Sequence, residues 1–264
     1  MINQIHHGDC VNLMAQLPAG SIDLTVTSPP YDGLRTYNGY SFDFEAVAAE
    51  LYRVTKEGGV VVWVVGDATV KGSETGTSFR QALHFMQCGF SLHDTMIWEK
   101  TPLPQNQHPR YSPLFEYMFI LCKGSAPRAF NPLTEPSIKA GVTTTSRGQR
   151  NANDAYRHDA GNTMTISATK RRGNIWRIPT GNNSTTKDRI AYEHPAIFPE
   201  KLAADHILSW SNLGDTVLDP FAGSGTTAKM AVANNRNYIG CEISAEYVTI
   251  ARARVASLQP TFTF

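Results

Sequence analysis

Val217-Leu218-Asp219-Pro220-Phe221-Ala222-Gly223-Ser224-Gly225-Thr226-Thr227 runs from an apolar strand through two glycines into a helix start. Glycines there let backbone approach a ligand closely, at the carboxyl edge of an open sheet where nucleotide-like ligands bind. The next strand, Tyr238-Ile239-Gly240-Cys241-Glu242, ends in a carboxylate 23 residues after Asp219. That is close to the ~20-residue spacing at which an acid grips a ribose. Strand, turn, helix, strand and acid together predict an adenosine-type cofactor; the plain alternative is a tight turn and a surface glutamate. Neither Gly-x-x-x-x-Gly-Lys-[Ser/Thr] nor a complete Gly-x-Gly-x-x-Gly is present, so the Asp-Pro-Phe lead-in favours a nucleoside without a diphosphate.

Outward from this stretch, strands and helices alternate. Helices are expected over 42–56, 79–87, 199–213, 226–234 and 245–257. Strands are expected over 22–27, 60–65, 95–98, 114–122, 216–218 and 238–242. The apolar run at 60–65 reads as a strand buried on both faces, as in a parallel sheet. The pattern predicts an α/β fold with a mainly parallel sheet. From 125 to 172 the chain is rich in Thr, Ser, Asn, Gly and Arg, and 141–169 holds few large apolar residues. This reads as a long, partly mobile loop region or small insert.

The chain has 264 residues, 41% of them apolar, enough to bury a core and too many for a wholly disordered chain. Its longest apolar runs are six residues, far short of the ~20 a membrane span needs. The start, Met-Ile-Asn-Gln-Ile-His-His-Gly-Asp, is not expected to be a secretory signal. Cys10, Cys88, Cys122 and Cys241 stand far apart with no CxxC pair, so reduced thiols are expected and structural zinc is not. Net charge is +1, but residues 100–190 carry 14 Lys+Arg against 5 Asp+Glu, while the rest is acidic. One segment is thus suited to phosphate, or is simply a basic surface loop.

A second motif, Thr27-Ser28-Pro29-Pro30-Tyr31, follows the strand at 22–27. Two prolines fix an extended backbone and remove two N–H donors, leaving carbonyls and the Ser28 hydroxyl as acceptors. Tyr31 adds a flat ring, so the site could accept both hydrogens of an exocyclic amine while stacking on its base. A proline turn closing a strand is the bland reading. The two motifs in this order resemble those of the amino-methylating DNA methyltransferases of bacteria and their phages, beta group. His7-Gly8-Asp9-Cys10, residues 51–59, Ile97-Trp98-Glu99-Lys100 and residues 194–202 are also similar to family segments.

The resemblance implies a Rossmann-like sheet with an antiparallel edge hairpin and an inserted basic loop region, and S-adenosylmethionine as cofactor. It divides the chain into a catalytic half at 1–124, a target-recognition insert at 125–172 and a cofactor-binding half at 173–264. It implies Ser28, Pro29, Pro30 and Tyr31 as catalytic. Asp219, Phe221, Gly223, Ser224, Gly225 and Thr226 would line the methionine and adenosine, Glu242 the ribose, Asp9 the adenine, and Phe198 and Lys201 the methionine end. Arg147, Arg150, Arg157, Lys170, Arg171 and Arg172 are the expected DNA contacts. The partner implied is double-stranded DNA, with no membrane and no metal, in a cytoplasmic, nucleoid-associated or phage-encoded setting. A homodimer and a separately acting restriction nuclease stay open.

Ring-carbon methylation of cytosine needs a cysteine, preceded by proline in that family; no Pro-Cys occurs here. Serine at position 28 resembles cytosine-N4 enzymes, and Asp or Asn there the adenine-N6 ones, so cytosine-N4 is expected and adenine-N6 is the alternative. Protein or RNA methyltransferases with Asn-Pro-Pro-Tyr carry the two motifs in reverse order. A catalytically inactive DNA-binding module is the rival from another class, although no motif residue looks damaged. His6-His7 reads as surface, since strand neighbours face opposite ways. Trp63, Trp98 and Trp210 read as core, Trp176 has a weak claim to face DNA, and Tyr111 and Glu116 stay undecided between target base and scaffold.

Overall fold

A computed structural model describes residues 1–31, 43–101, 109–145 and 163–258. Among these, the chain forms two compact units: Met1–Asn131 with Asn174–Phe264, and Pro132–Gly173. In the larger unit, β1 (Gln4–His7), α1 (Cys10–Met14), β2 (Ile22–Thr27), α2 (Phe44–Val54) and β3 (Thr55–Val65) come first. A two-strand ribbon, β4 (Thr69–Val70) and β5 (Ser73–Glu74), leads to α3 (Thr77–Gln87), β6 (Phe90–Glu99) and β7 (Phe115–Lys123). In the smaller unit, β8 (Thr134–Pro136) pairs antiparallel with β11 (Thr169–Arg171), and β9 (Thr143–Thr145) with β10 (Thr163–Thr165). The larger unit resumes with β12 (Ile175–Arg177), a 3₁₀ turn at Arg189–Glu193, α4 (Glu200–Trp210), β13 (Thr216–Asp219), α5 (Thr226–Ala233), β14 (Asn237–Glu242) and α6 (Ala245–Ala256).

Eight strands form one sheet in the order β1-β14-β13-β2-β3-β7-β6-β12. All neighbours run parallel except β7, which is antiparallel to both β3 and β6. The β6–β7 hairpin therefore lies toward one side of the sheet, with β12 paired outside it.

Alternation along β3 separates two faces. Val61, Trp63 and Val65 pack with Met14, Leu51, Val54 and Phe85 of α1, α2 and α3. Met118 on β7 faces the other way, with His206 Nε2 of α4 3.1 Å from its sulfur. Helix starts follow from short polar caps: Asp9, Asp43 and Ser244 accept backbone N–H groups of Asn12, Ala46 and Tyr247.

Trp63, Trp98 and Trp210 are buried, and so is Trp176, whose ring stacks on His206 at 4.5 Å. Trp176 is therefore core rather than DNA-facing. All four cysteines are free thiols. No described helix is long and apolar enough to cross a membrane.

Candidate active site

The carboxyl ends of the parallel strands meet along one edge of the sheet. β1 delivers Asp9, β14 Glu242, β13 Asp219, and β2 Ser28-Pro29-Pro30, in the order the strands lie. The antiparallel β7 starts at that edge and β6 ends there, so Glu116 and Lys100 arrive beside them, Trp98 standing opposite Glu116 in the register. A cavity of about 800 Å³ opens at this edge, a size typical of small-ligand sites. Its walls also include Tyr192, His194 and Phe198 from the segment before α4.

Of the residues singled out from the sequence, Asp9, Ser28, Pro30, Tyr31, Phe198, Asp219, Phe221, Gly223, Ser224, Thr226 and Glu242 line the cavity. Pro29, Gly225 and Lys201 are not among the lining residues. Lys201 pairs with Asp205 one turn along α4 at 2.9 Å, and its side chain is largely exposed. Gly225 caps α5 at φ 77°, and a Cβ there would lie 2.7 Å from the Ala251 Cβ and 2.9 Å from its Cα. Its missing side chain serves the close approach of α5 and α6, not the cavity. Gly223 does face inward: a Cβ would lie 2.9 Å from His194 Nε2.

Glu242 is buried, accepting Gly223 N–H at 2.8 Å and Ser244 N–H at 2.8 Å. Desolvation raises its pKa, against the backbone N–H groups of Ser244, Gly223 and Ile243 that lower it. Asp219 accepts the Thr27 hydroxyl at 2.7 Å and Phe221 N–H at 3.1 Å. Burial nevertheless pushes its carboxyl up to about 6. Cys10 and Cys241 both line the cavity, but burial pushes the Cys10 thiol up to about 12 and the Cys241 thiol upward too. Two neutral thiols beside the site are poor nucleophiles.

Ser28, Tyr31, Glu116 and Lys100 are joined. Tyr31 Oη lies 2.9 Å from Ser28 Oγ and 2.8 Å from Glu116 Oε2, and Lys100 Nζ is 2.6 Å from Glu116 Oε1. The sequence left Glu116 undecided and gave Lys100 only as part of a family-like segment with no role; the antiparallel β6–β7 pairing brings both to this edge. Tyr192 was missed, since it sits in a segment with no regular period, and His194 was noted only as the start of the family-like segment 194–202.

Behind the glycine turn, the fully buried Arg254 donates to Asp188, Glu200, the Ser224 carbonyl and Thr226. Lys229 pairs with the same two carboxylates at 2.7 Å. This network ties α4, α5 and α6 to the segment that walls the cavity. Among the described residues, no cluster of His, Cys, Asp and Glu could hold a metal ion.

In the smaller unit, Lys170 is exposed and pairs with Glu135 at 3.0 Å, as the β8–β11 register sets them opposite. Arg171 and Arg172 stand next to it. Arg147, Arg150 and Arg157 lie outside the described residues.

A mainly parallel sheet whose acidic strand ends and glycine turn open on one cavity defines a Rossmann-like methyltransferase fold. Residues 22–253 match the DNA methylase family of N6 and N4 type, and the chain belongs to that family. It is 58% identical over 241 residues to the orphan methyltransferase M.BamHII of Bacillus amyloliquefaciens, covering 89% of each chain. It is 28% identical over 273 residues to the DNA adenine methyltransferase YhdJ of Escherichia coli K12, covering 95% of this chain and 82% of that one. Its structure superposes on TTHA0409 of Thermus thermophilus in complex with S-adenosyl-L-methionine at a TM-score of 0.67, with 27% identity over 98% and 95% of the two chains. The protein is a DNA methyltransferase of the N4/N6 type.

Proposed function

We propose that the chain transfers a methyl group from S-adenosylmethionine to the exocyclic N4 of cytosine flipped out of duplex DNA. The observation that supports this most is the common cavity of Ser28 and Tyr31 with Asp219, Gly223 and Glu242. The acceptors suit the cofactor: a buried carboxylate for ribose hydroxyls at Glu242 and the Asp9 carboxylate for adenine, with the Phe221 ring in the same cavity wall. The bound cofactor supplies a sulfonium methyl as electrophile. Ser224 and Thr226, which also line the cavity, would help hold its methionine and adenosine; Lys201 is outside the lining and pairs with Asp205.

The target amine is a weak nucleophile, because its lone pair is delocalised into the ring. Ser28 Oγ, which lines the cavity, accepts a hydrogen of the amine, and this lets the nitrogen pyramidalise toward the methyl. Catalysis is then orientation plus acceptors aimed where positive charge develops. The base is flipped out and held against the ring of Tyr31. Serine at position 28 favours cytosine-N4 over adenine-N6, and the protonated Cys10 and Cys241 disfavour ring-carbon attack.

The small unit with Lys170, Arg171 and Arg172 is the proposed target-recognition region, within an insert bounded by two halves of one catalytic domain. Cytoplasmic action on duplex DNA follows, whether solitary or beside a nuclease, as monomer or homodimer. Methylation of mixed DNA with labelled cofactor, then nucleoside digestion and mass analysis, tests the reading. N4-methylcytosine is expected. N6-methyladenine would move the target to adenine, and DNA binding without transfer would leave only an inactive module.

A further inference from the structure

Ser28 is the last member of a chain of polar contacts that begins at a charge. Lys100 Nζ holds Glu116 Oε1 at 2.6 Å, and the other oxygen of that carboxylate lies 2.8 Å from the Tyr31 hydroxyl. That hydroxyl lies 2.9 Å from Ser28 Oγ and 3.3 Å from the Val64 carbonyl. A tyrosine hydroxyl has one proton to give, and an ionised carboxylate can only accept. The charge-assisted bond to Glu116 is the shorter and stronger, so the Tyr31 proton goes there. The Tyr31 oxygen then accepts, and the Ser28 proton turns toward it. What remains on Ser28 Oγ toward the cavity is lone pairs.

We propose that Lys100, Glu116 and Tyr31 act as positioning residues that make Ser28 an obligatory acceptor, so that the site takes a base bearing an amino group and rejects its carbonyl counterpart. A carbonyl oxygen in that place would meet lone pairs with no proton between them. This gives the Tyr31 hydroxyl a task separate from its ring, and gives the Lys100–Glu116 pair a role in specificity. The inference rests on the proposal that Ser28 meets the target amine.

The test is a double-mutant cycle on the full chain: wild type, Ser28→Ala, Tyr31→Phe and both together. Phenylalanine keeps the ring and removes only the hydroxyl. Single-turnover methyl transfer to plasmid DNA should slow about ten- to a hundredfold in Tyr31→Phe. In the Ser28→Ala background the same change should cost no more than about twofold, because its effect runs through Ser28. Calorimetric affinity for S-adenosylmethionine should stay the same in Tyr31→Phe. A second measurement needs no turnover: binding to a duplex carrying the mapped target base or its carbonyl counterpart, uracil for cytosine or hypoxanthine for adenine. Wild type should prefer the amine, and Tyr31→Phe should narrow that preference. Tyr31→Phe as fast as wild type, an equal slowing in the Ser28→Ala background, or an unchanged base preference would each overturn the inference while leaving amino-methylation standing. A wild-type chain that methylates no amino group overturns both.

Discussion

Asp219 has its charge pressed into the sheet with few donors to hold it. Desolvation, with Glu242 adding to it, outweighs the hydrogen bonds from Thr27, Phe221 and Thr227, and the carboxyl rises to about 6. The folded chain thus holds this proton more tightly than the unfolded chain. Its contribution to stability is present below the ordinary carboxylate range and is lost as pH rises toward about 6. The loss is of the order of 3 kcal/mol. Urea unfolding should show that decline between about pH 4 and 6, and Asp219→Asn should flatten it. Glu242→Gln should weaken S-adenosylmethionine binding by about 1.5–3 kcal/mol, the usual size of a hydrogen bond to a charged group. Calorimetry checks this, and glutamine keeps one acceptor for the Gly223 or Ser244 N–H. These carboxylates and Ser28 were legible because each closes, or directly follows, a strand inside a short motif. Glu116 was not, because its place follows from the β6–β7 register, in which Trp98 faces Glu116.

Gly225 shows what an element needs rather than what a ligand needs. Valine there would force its Cβ onto Ala251 and its backbone into a left-handed turn at φ 77°. Gly225→Val should therefore lower unfolding free energy by more than about 2 kcal/mol, as overpacking and strain add. Ala251→Gly should recover only part, since the Ala251 Cα would still be 2.9 Å away. Denaturant titration of the three variants checks both statements, and a Gly225→Val chain of full stability would return the residue to the cavity wall. At this scale the sequence reads well where burial is two-sided: β2 falls at Ile22–Thr27 as expected. β3 begins at Thr55 rather than at residue 60, because Ile22 pairs with Thr55 ahead of the apolar run. β1 escaped because only Ile5 of its four residues is buried. The insert looked like loop because its strands are three residues long and almost wholly exposed.

For the whole molecule, charge asymmetry translates into salt dependence. Each phosphate contact contributes about 0.9 to the slope of log affinity against log salt. Alanine at Lys170, Arg171 and Arg172 together should flatten that slope by about 2, with the Lys170–Glu135 pair limiting the contribution of Lys170. DNA binding across a salt series checks this; an unaltered slope would assign phosphate binding elsewhere. Cofactor affinity should not change, since none of the three lines the cavity. The pairing of β1 with β14 also sets a schedule for synthesis. Asn3 bonds to Tyr238, 235 positions later, and Asp9 reaches the cavity from the strand so joined. At a ribosomal pace of about 5–20 residues per second, the first strand waits roughly ten seconds to most of a minute for its partner. For most of that wait a nascent chain has its Ser-Pro-Pro-Tyr segment but not the glycine turn, and to its end it lacks Glu242, so methylating competence arrives only with β14.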